Sequence, residues 1–180
     1  MSELTLQERF ALIALNAQDS LHMTTAKKAA LRCIAAAEIL EKYLDAVWPD
    51  QDTLEQELKS AADGSSRILK QTEKEIKAIL AEKNLLTEIP NLLASDLFYV
   101  TAGVNIFEYC SNVAEYTRQT EGMRAELMED GNVTDDVICL FWLLRESGCF
   151  YDLFTRAEQG YLATRINQLY LDSHLAKQLF

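Results

Sequence analysis

The chain of 180 residues is 49% apolar and carries a formal net charge of −11. This apolar content is sufficient for one full-sized hydrophobic core, and with only two prolines and six glycines it favours helices over a turn-rich β-sandwich. The acidic charge argues against a protein that binds nucleic acid, or an anionic membrane, with its whole surface. We therefore expect a single helical domain, residues 1–180, without a nucleic-acid partner.

A capped amphipathic helix is predicted near the start of the sequence. Thr5 and Glu8 have the spacing of a capping box, and apolar residues recur at helical spacing in Leu6, Phe10, Ile13 and Ala17. No signal-peptide pattern precedes this helix, so we expect an intracellular protein. A second, alanine-rich helix is predicted from Thr25 to Trp48, where Pro49 stops it.

The next part of the sequence is predicted to contain a short helix and a longer one. Asp52 indicates the N-terminal cap of a short helix that reaches about Ala62, and a polar loop follows. The longer helix runs from Ser66 to Lys83 and ends at Asn84, a residue suited to a left-handed cap. Its apolar side is predicted to face inward with Ile68, Ile76, Ile79 and Leu80.

One apolar segment dominates the second half of the sequence. Short apolar clusters from Leu85 to Val100 predict a loop or a small β-hairpin, and a helix is predicted from Val104 to Met128. The segment Val137–Leu144 is apolar on all sides, which is typical of a helix at the centre of a bundle, and a last helix begins at about Thr155. We therefore predict an all-α fold, a compact multi-helix bundle around this central apolar helix with at most one small β-hairpin.

Three segments together resemble the Golgi phosphoprotein 3 family: LTLQERFALIAL (Leu4–Leu15), ALRCIAAAEIL (Ala30–Leu40) and ILAEKNLLT (Ile79–Thr87). The first is similar to the opening helix of the family, the second to its arginine-containing helix, and the third to a helix end with an EKG-leucine-threonine turn. The apolar segment Val137–Phe154 is similar to the helix near the C-terminal end of the family. The chain is shorter than eukaryotic members and lacks their N-terminal arm, so it is more similar to compact prokaryotic relatives.

The resemblance implies a non-enzymatic helical domain that binds phosphatidylinositol 4-phosphate in a surface pocket and acts as a peripheral membrane adaptor. In that family a tryptophan and several arginines hold the headgroup. One arginine position falls on Arg32, and the first of a later pair falls on Lys70. The second of the pair falls on the acidic Glu73, and the tryptophan position falls near Met23. The resemblance therefore implies a degraded lipid pocket.

Four basic residues lie on one narrow side of the helix predicted from Ser66: Arg67, Lys70, Lys74 and Lys77. One interpretation is a site for an anionic headgroup that also uses Arg32. A second small basic cluster consists of Lys27, Lys28 and Arg32. Glu73 is then expected to repel a phosphate that enters the stripe. The other interpretation is a solvated outer face whose charges pair locally with Glu73 and Glu75, as is usual for helices of soluble proteins.

Residues suited to catalysis or metal binding are few. His22 and His174 are the only histidines, and they lack the spacing of a metal motif. The four cysteines show no CxxC spacing, so they are interpreted as buried thiols: Cys33, Cys110, Cys139 and Cys149. We expect no metal, no cofactor and no catalytic residue. The aromatic residues of the C-terminal part are expected to lie in the core: Phe141, Trp142, Phe150, Tyr151 and Phe154.

Two functions follow from these observations. The first is a binding module similar to Golgi phosphoprotein 3, a cytoplasmic protein that is peripheral at a membrane and recognises a phosphoinositide, another anionic headgroup or a protein tail. The second is a cytoplasmic helical protein-interaction domain that does not bind lipid. The acidic charge favours the second, whereas Arg32 and the basic stripe favour the first. The sequence leaves the partner and the oligomeric state open.

Overall fold

A computed structural model of the protein describes residues 3–90 and 107–180. These residues form nine helices and two strands: α1 (Leu6–Ala14), α2 (Thr25–Leu44), α3 (Gln51–Ala62), α4 (Ser66–Glu82), β1 (Leu86–Pro90), β2 (Phe107–Ser111), α5 (Val113–Met128), α6 (Asp135–Ser147), α7 (Phe150–Leu153), α8 (Arg156–Asp172) and α9 (His174–Leu179). The predicted fold class, a mostly α-helical bundle with one small β-hairpin, is confirmed. No helix within the described ranges combines the length and the apolarity that a membrane crossing needs.

Helix α6 is the central helix of the bundle, as the apolar segment Val137–Leu144 predicts. Every residue of that segment is at most 2% exposed except Trp142, which is half-buried. Helices α1, α2, α5, α7 and α9 all contact α6. Gly148 ends the helix with φ of 83°, a left-handed conformation that glycine adopts without steric cost.

Helix α2 is a second centre of packing beside α6, because α1, α3, α4 and α6 all pack against it. It ends at Leu44, four residues before the predicted end at Trp48, and Val47 beyond it is 91% exposed. The cap of α3 is also displaced from its predicted position at Asp52. Instead, Asp50 is the N-cap, with an extended backbone and a side chain that accepts a hydrogen bond from the Thr53 amide at 2.9 Å.

The two strands form an antiparallel ladder in which Leu86 pairs with Ser111 and Pro90 with Phe107. The prediction of a helix beginning at Val104 is therefore wrong for Phe107–Ser111. In this strand Tyr109 and Ser111 are buried while their neighbours are half-buried, which is the alternation of a strand. The helix begins only after Asn112, whose side chain accepts from the Glu115 amide at 3.1 Å. The rest of the segment predicted as a loop or hairpin, from residue 91 onward, lies outside the described residues.

Helix α4 has a different inner face from the one predicted. Ile76 and Leu80 are buried as expected, but Ile68 and Ile79 are 55% and 38% exposed. The inner face consists of Leu69, Glu73, Ile76 and Leu80, spaced by four, three and four residues. This register places a glutamate at a core position. Asn84 follows the helix with φ of 57°, in the predicted left-handed conformation.

Candidate functional site

The basic stripe of α4 lies on its outer side, and its members differ in their pairing. Arg67, Lys70 and Lys74 are exposed, and none of them forms an ion pair with a residue that the structure describes. Lys77 is half-buried and donates to the Glu88 carboxylate of β1 at 2.6 Å. We call the first three residues the basic face. Within the described part of the chain, these three cations are therefore available to bind an anion, while Lys77 connects α4 to the sheet.

A buried network lies on the inner side of the same helix and comprises Lys27, Glu73, Tyr109 and the carbonyl of Asp19. Lys27 is 1% exposed, and its Nζ donates to the Glu73 Oε1 at 2.8 Å and to the Asp19 carbonyl at 2.7 Å. The Tyr109 hydroxyl donates to the same Glu73 oxygen at 2.7 Å. We call these residues the lysine network. It gives a buried ammonium group both a counter-charge and a second acceptor, which such a group requires.

The lysine network joins parts of the chain that are distant in sequence. Lys27 lies in the first turn of α2, which the Thr24 side chain caps by accepting from the Lys27 amide at 3.1 Å. Tyr109 comes from β2, and its ring lies 5.9 Å from the Lys27 Nζ. Burial, followed by the hydrogen bond to Glu73, raises the pKa of Tyr109 far above its usual value, so the phenol stays protonated and acts as a donor.

The segment before α2 runs along the outer edge of β2 and completes this arrangement. The Ala17 amide donates to the Tyr109 carbonyl at 2.8 Å, and the Tyr109 amide donates to the Gln18 carbonyl at 2.9 Å. The Ser20 amide donates to the Phe107 carbonyl at 2.9 Å. Ala17 was predicted as a helical core position, but it is exposed and has φ of 64°. The lysine network and these backbone hydrogen bonds therefore fix the positions of α2, α4, β2 and this segment relative to one another.

The sequence interpretation of Glu73 is wrong, because its carboxylate points inward to Lys27 and Tyr109. It therefore neither pairs with the stripe at local spacing nor faces a phosphate bound between Lys70 and Lys74. Lys27 likewise belongs to the interior and not to a basic surface cluster. The sequence does contain a signal for the Lys27–Glu73 pair: each of the two residues occupies a position in the apolar, inward-facing pattern of its own helix.

Arg32, the residue shared by the predicted headgroup site, is exposed on α2 and forms no ion pair with a described residue. Four surface cavities of the structure are lined by neither Arg32 nor any member of the basic stripe. These residues thus form open surface outside those four cavities. Met23, at the tryptophan position of the resemblance, is half-buried.

The remaining chemically reactive side chains are dispersed. His22 Nδ1 lies 2.9 Å from the Asp19 carboxylate and is exposed, and His174 is exposed at the start of α9. Burial raises the pKa of Cys33 to about 12 and that of Cys139 higher still, so both thiols stay protonated at neutral pH. Within residues 3–90 and 107–180, no group of three or more His, Cys, Asp or Glu side chains is arranged to hold a metal ion.

No protein-family model, curated protein or solved structure matches the chain.

Proposed function

We propose that the chain is a non-enzymatic binding module that recognises an anionic group, such as the phosphorylated headgroup of a phosphoinositide, at the basic face of α4. The observation that carries this proposal is the orientation of Glu73. Because its carboxylate is directed inward to Lys27 and Tyr109, the surface formed by Arg67, Lys70 and Lys74 lacks the carboxylate that its sequence suggests.

The charge distribution supports a local site on an otherwise acidic protein. The net charge of −11 repels an anionic partner at long range. Exposed charges more than about 8 Å apart are largely screened at physiological salt. The three cations of the basic face, which form no ion pair with a described residue, can therefore still dominate the potential close to them. Lys70 and Lys74 are one helical turn apart, and Arg67 adds a guanidinium that can bind two phosphate oxygens at once.

The resemblance to the Golgi phosphoprotein 3 family supports the same class of ligand and a cytoplasmic protein that is peripheral at a membrane. We include Arg32 and Lys77 in the proposed site as secondary members. Arg32 is exposed and unpaired among the described residues, whereas Lys77 must exchange its bond to Glu88 for the ligand.

Liposome flotation tests the proposal with charge-reversal variants. Wild-type protein should bind vesicles that contain phosphatidylinositol 4-phosphate better than vesicles of phosphatidylcholine alone, and the binding should weaken as salt is raised. Lys70→Glu should abolish the binding. Ala81→Lys should strengthen it, because residue 81 is exposed and continues the stripe by one turn after Lys77. Lys42→Glu is the matched control, since Lys42 is an exposed cation on α2 that forms no ion pair with a described residue.

The alternative function is a helical protein-interaction domain without lipid binding. It is favoured by exposed apolar side chains at the end of α8, where Leu171 is 72% and Tyr170 is 46% exposed. If all four proteins ignore the anionic vesicles equally, the headgroup proposal is wrong and the alternative gains support. Equal loss of binding in Lys70→Glu and Lys42→Glu would also contradict a site on α4.

A further inference from the structure

A cavity of about 470 Å³ lies between α3, α6, α8 and α9, on residues that the proposed function does not use. Sites for small molecules in proteins have volumes of roughly 300–1,000 Å³ and combine an apolar lining with a few polar groups. Helix α3 packs mainly against α2, and this leaves its other side open toward α6 and α9. The cavity is therefore large enough for a ligand of the size of an amino acid.

Each of the four helices contributes an apolar or aromatic side chain to the lining of this cavity: Leu58, Trp142, Tyr170 and Leu179. Trp142 is the one residue of the central segment Val137–Leu144 that is not fully buried, and it lines the cavity. Tyr170 also lines it and is 46% exposed. Indole and phenol rings offer flat apolar faces on which an aromatic ring packs in an offset or edge-to-face arrangement.

The charged groups of the lining fall into two classes. Glu55 and Lys59 form an ion pair at 2.6 Å and so neutralise each other. Glu146 of α6 and Lys177 of α9 also line the cavity, and neither forms an ion pair with a described residue. Among the described side chains of the lining, Glu146 and Lys177 are thus the carboxylate and the ammonium group that no ion pair neutralises. A ligand that satisfies both must carry a positive and a negative charge.

Several contacts connect the helices that form the walls of the cavity. The Gln178 side chain donates to the Pro49 carbonyl at 3.1 Å, which ties α9 to the turn before α3. The Tyr43 hydroxyl donates to the Glu57 carboxylate at 2.8 Å, which ties α3 to α2. The guanidinium of Arg145 lies 5.3 Å from the ring centre of Phe180. A ligand that enters a site with fixed walls loses less free energy to ordering than one that must organise it.

We propose that this cavity binds a zwitterionic small molecule with an apolar, preferably aromatic, side chain, as in a free aromatic amino acid. The ligand ammonium binds the Glu146 carboxylate, the ligand carboxylate binds Lys177, and the side chain packs on Trp142.

Fluorescence and calorimetric titrations with L-phenylalanine test this proposal. Trp142 and Trp48 are the only tryptophans, and Trp48 does not line this cavity, so Trp48→Phe makes Trp142 a single reporter. Saturable binding should appear at ligand concentrations up to about 10 mM, tenfold above a millimolar dissociation constant. Phenethylamine, which lacks the carboxylate, and 3-phenylpropionate, which lacks the amine, should each bind about tenfold more weakly or worse.

Two site variants and two control variants test whether Glu146 and Lys177 bind the charged groups of the ligand. Glu146→Gln and Lys177→Gln should each weaken L-phenylalanine binding by about tenfold, and both residues are exposed, so folding should be retained. Glu38→Gln and Lys42→Gln remove the same charges from exposed positions of α2 and should leave the affinity unchanged. The absence of a saturable signal in the single-tryptophan protein would overturn the proposal. Equal affinity for all three ligands, or equal effects of site and control variants, would overturn it as well.

Discussion

Removal of the Lys27 ammonium group should be among the most destabilising single changes in the protein. Lys27→Met keeps most of the side-chain volume but leaves the Glu73 carboxylate with the Tyr109 hydroxyl as its remaining partner among the described residues. It also removes the Lys27 donor from the Asp19 carbonyl. Breaking a buried ion pair on one side costs about 3–5 kcal/mol. Because the Glu73 side chain is 13% exposed and so retains some contact with solvent, we expect the lower end of that range, about 3 kcal/mol.

Urea unfolding followed by circular dichroism measures this loss, and a multiple-variant cycle identifies its origin. The triple variant Lys27→Met, Glu73→Leu, Tyr109→Phe removes all three polar groups together and should recover at least half of the loss, since a buried ion pair can often be replaced by apolar residues at little cost. Lys28→Met is the control, because Lys28 is a half-buried neighbour without an ion pair to any described residue. A loss below about 1 kcal/mol for Lys27→Met, or no recovery in the triple variant, would refute the importance of the network.

Three further predictions concern stability. Phe141→Ala should cost about 3–5 kcal/mol in urea unfolding, since Phe141 is 0% exposed, whereas Trp142→Ala should cost clearly less because Trp142 is half-buried. Asp50→Ala should cost about 1 kcal/mol through loss of the α3 cap, and equal losses for Asp50→Ala and Asp52→Ala would contradict the observed cap. Burial of Asp136 opposes its ionisation, but hydrogen bonds from Arg9 and Thr134 outweigh burial and hold the Asp136 pKa below 3.8. The Arg9–Asp136 pair therefore stabilises the fold above pH 3.8, and this stabilisation is lost as the pH falls through the lower pKa that Asp136 has in the folded protein. Arg9→Gln should thus reduce the decrease in the urea midpoint that acid causes. An equal decrease in the variant and the wild type would argue against the pair.

Features of the fold that are encoded locally could be predicted from the sequence. The Thr5 and Glu8 capping box is present, with the Thr5 hydroxyl accepting from the Glu8 amide at 3.1 Å. Asn84 and the apolar segment of α6 also behave as predicted. Each of these signals depends on residues within one or two helical turns. The prediction that Tyr151 lies in the core is wrong, because Tyr151 is 69% exposed. Trp142 packs against the core as expected but is only half-buried, since it also lines a cavity.

Strand β2 was missed because its identity depends on a distant partner. The apolar residues of Phe107–Ser111 fit a helical spacing as well as a strand alternation, and the ladder to Leu86–Pro90 decides between them. The candidate site shows the same limitation. The basic face was recognisable from the spacing of its cations, but the inward orientation of Glu73 depends on Lys27, 46 residues away in sequence.

The location of headgroup binding can be measured by a titration of ¹⁵N-labelled protein with inositol 1,4-bisphosphate, followed by two-dimensional NMR. This soluble ligand carries the phosphates of the proposed headgroup without a membrane. Our account predicts saturable amide shifts centred on Arg67, Lys70 and Lys74, and their loss in Lys70→Glu but not in Lys42→Glu. The absence of shifts, or shifts centred away from α4 and unaffected by Lys70→Glu, would contradict it.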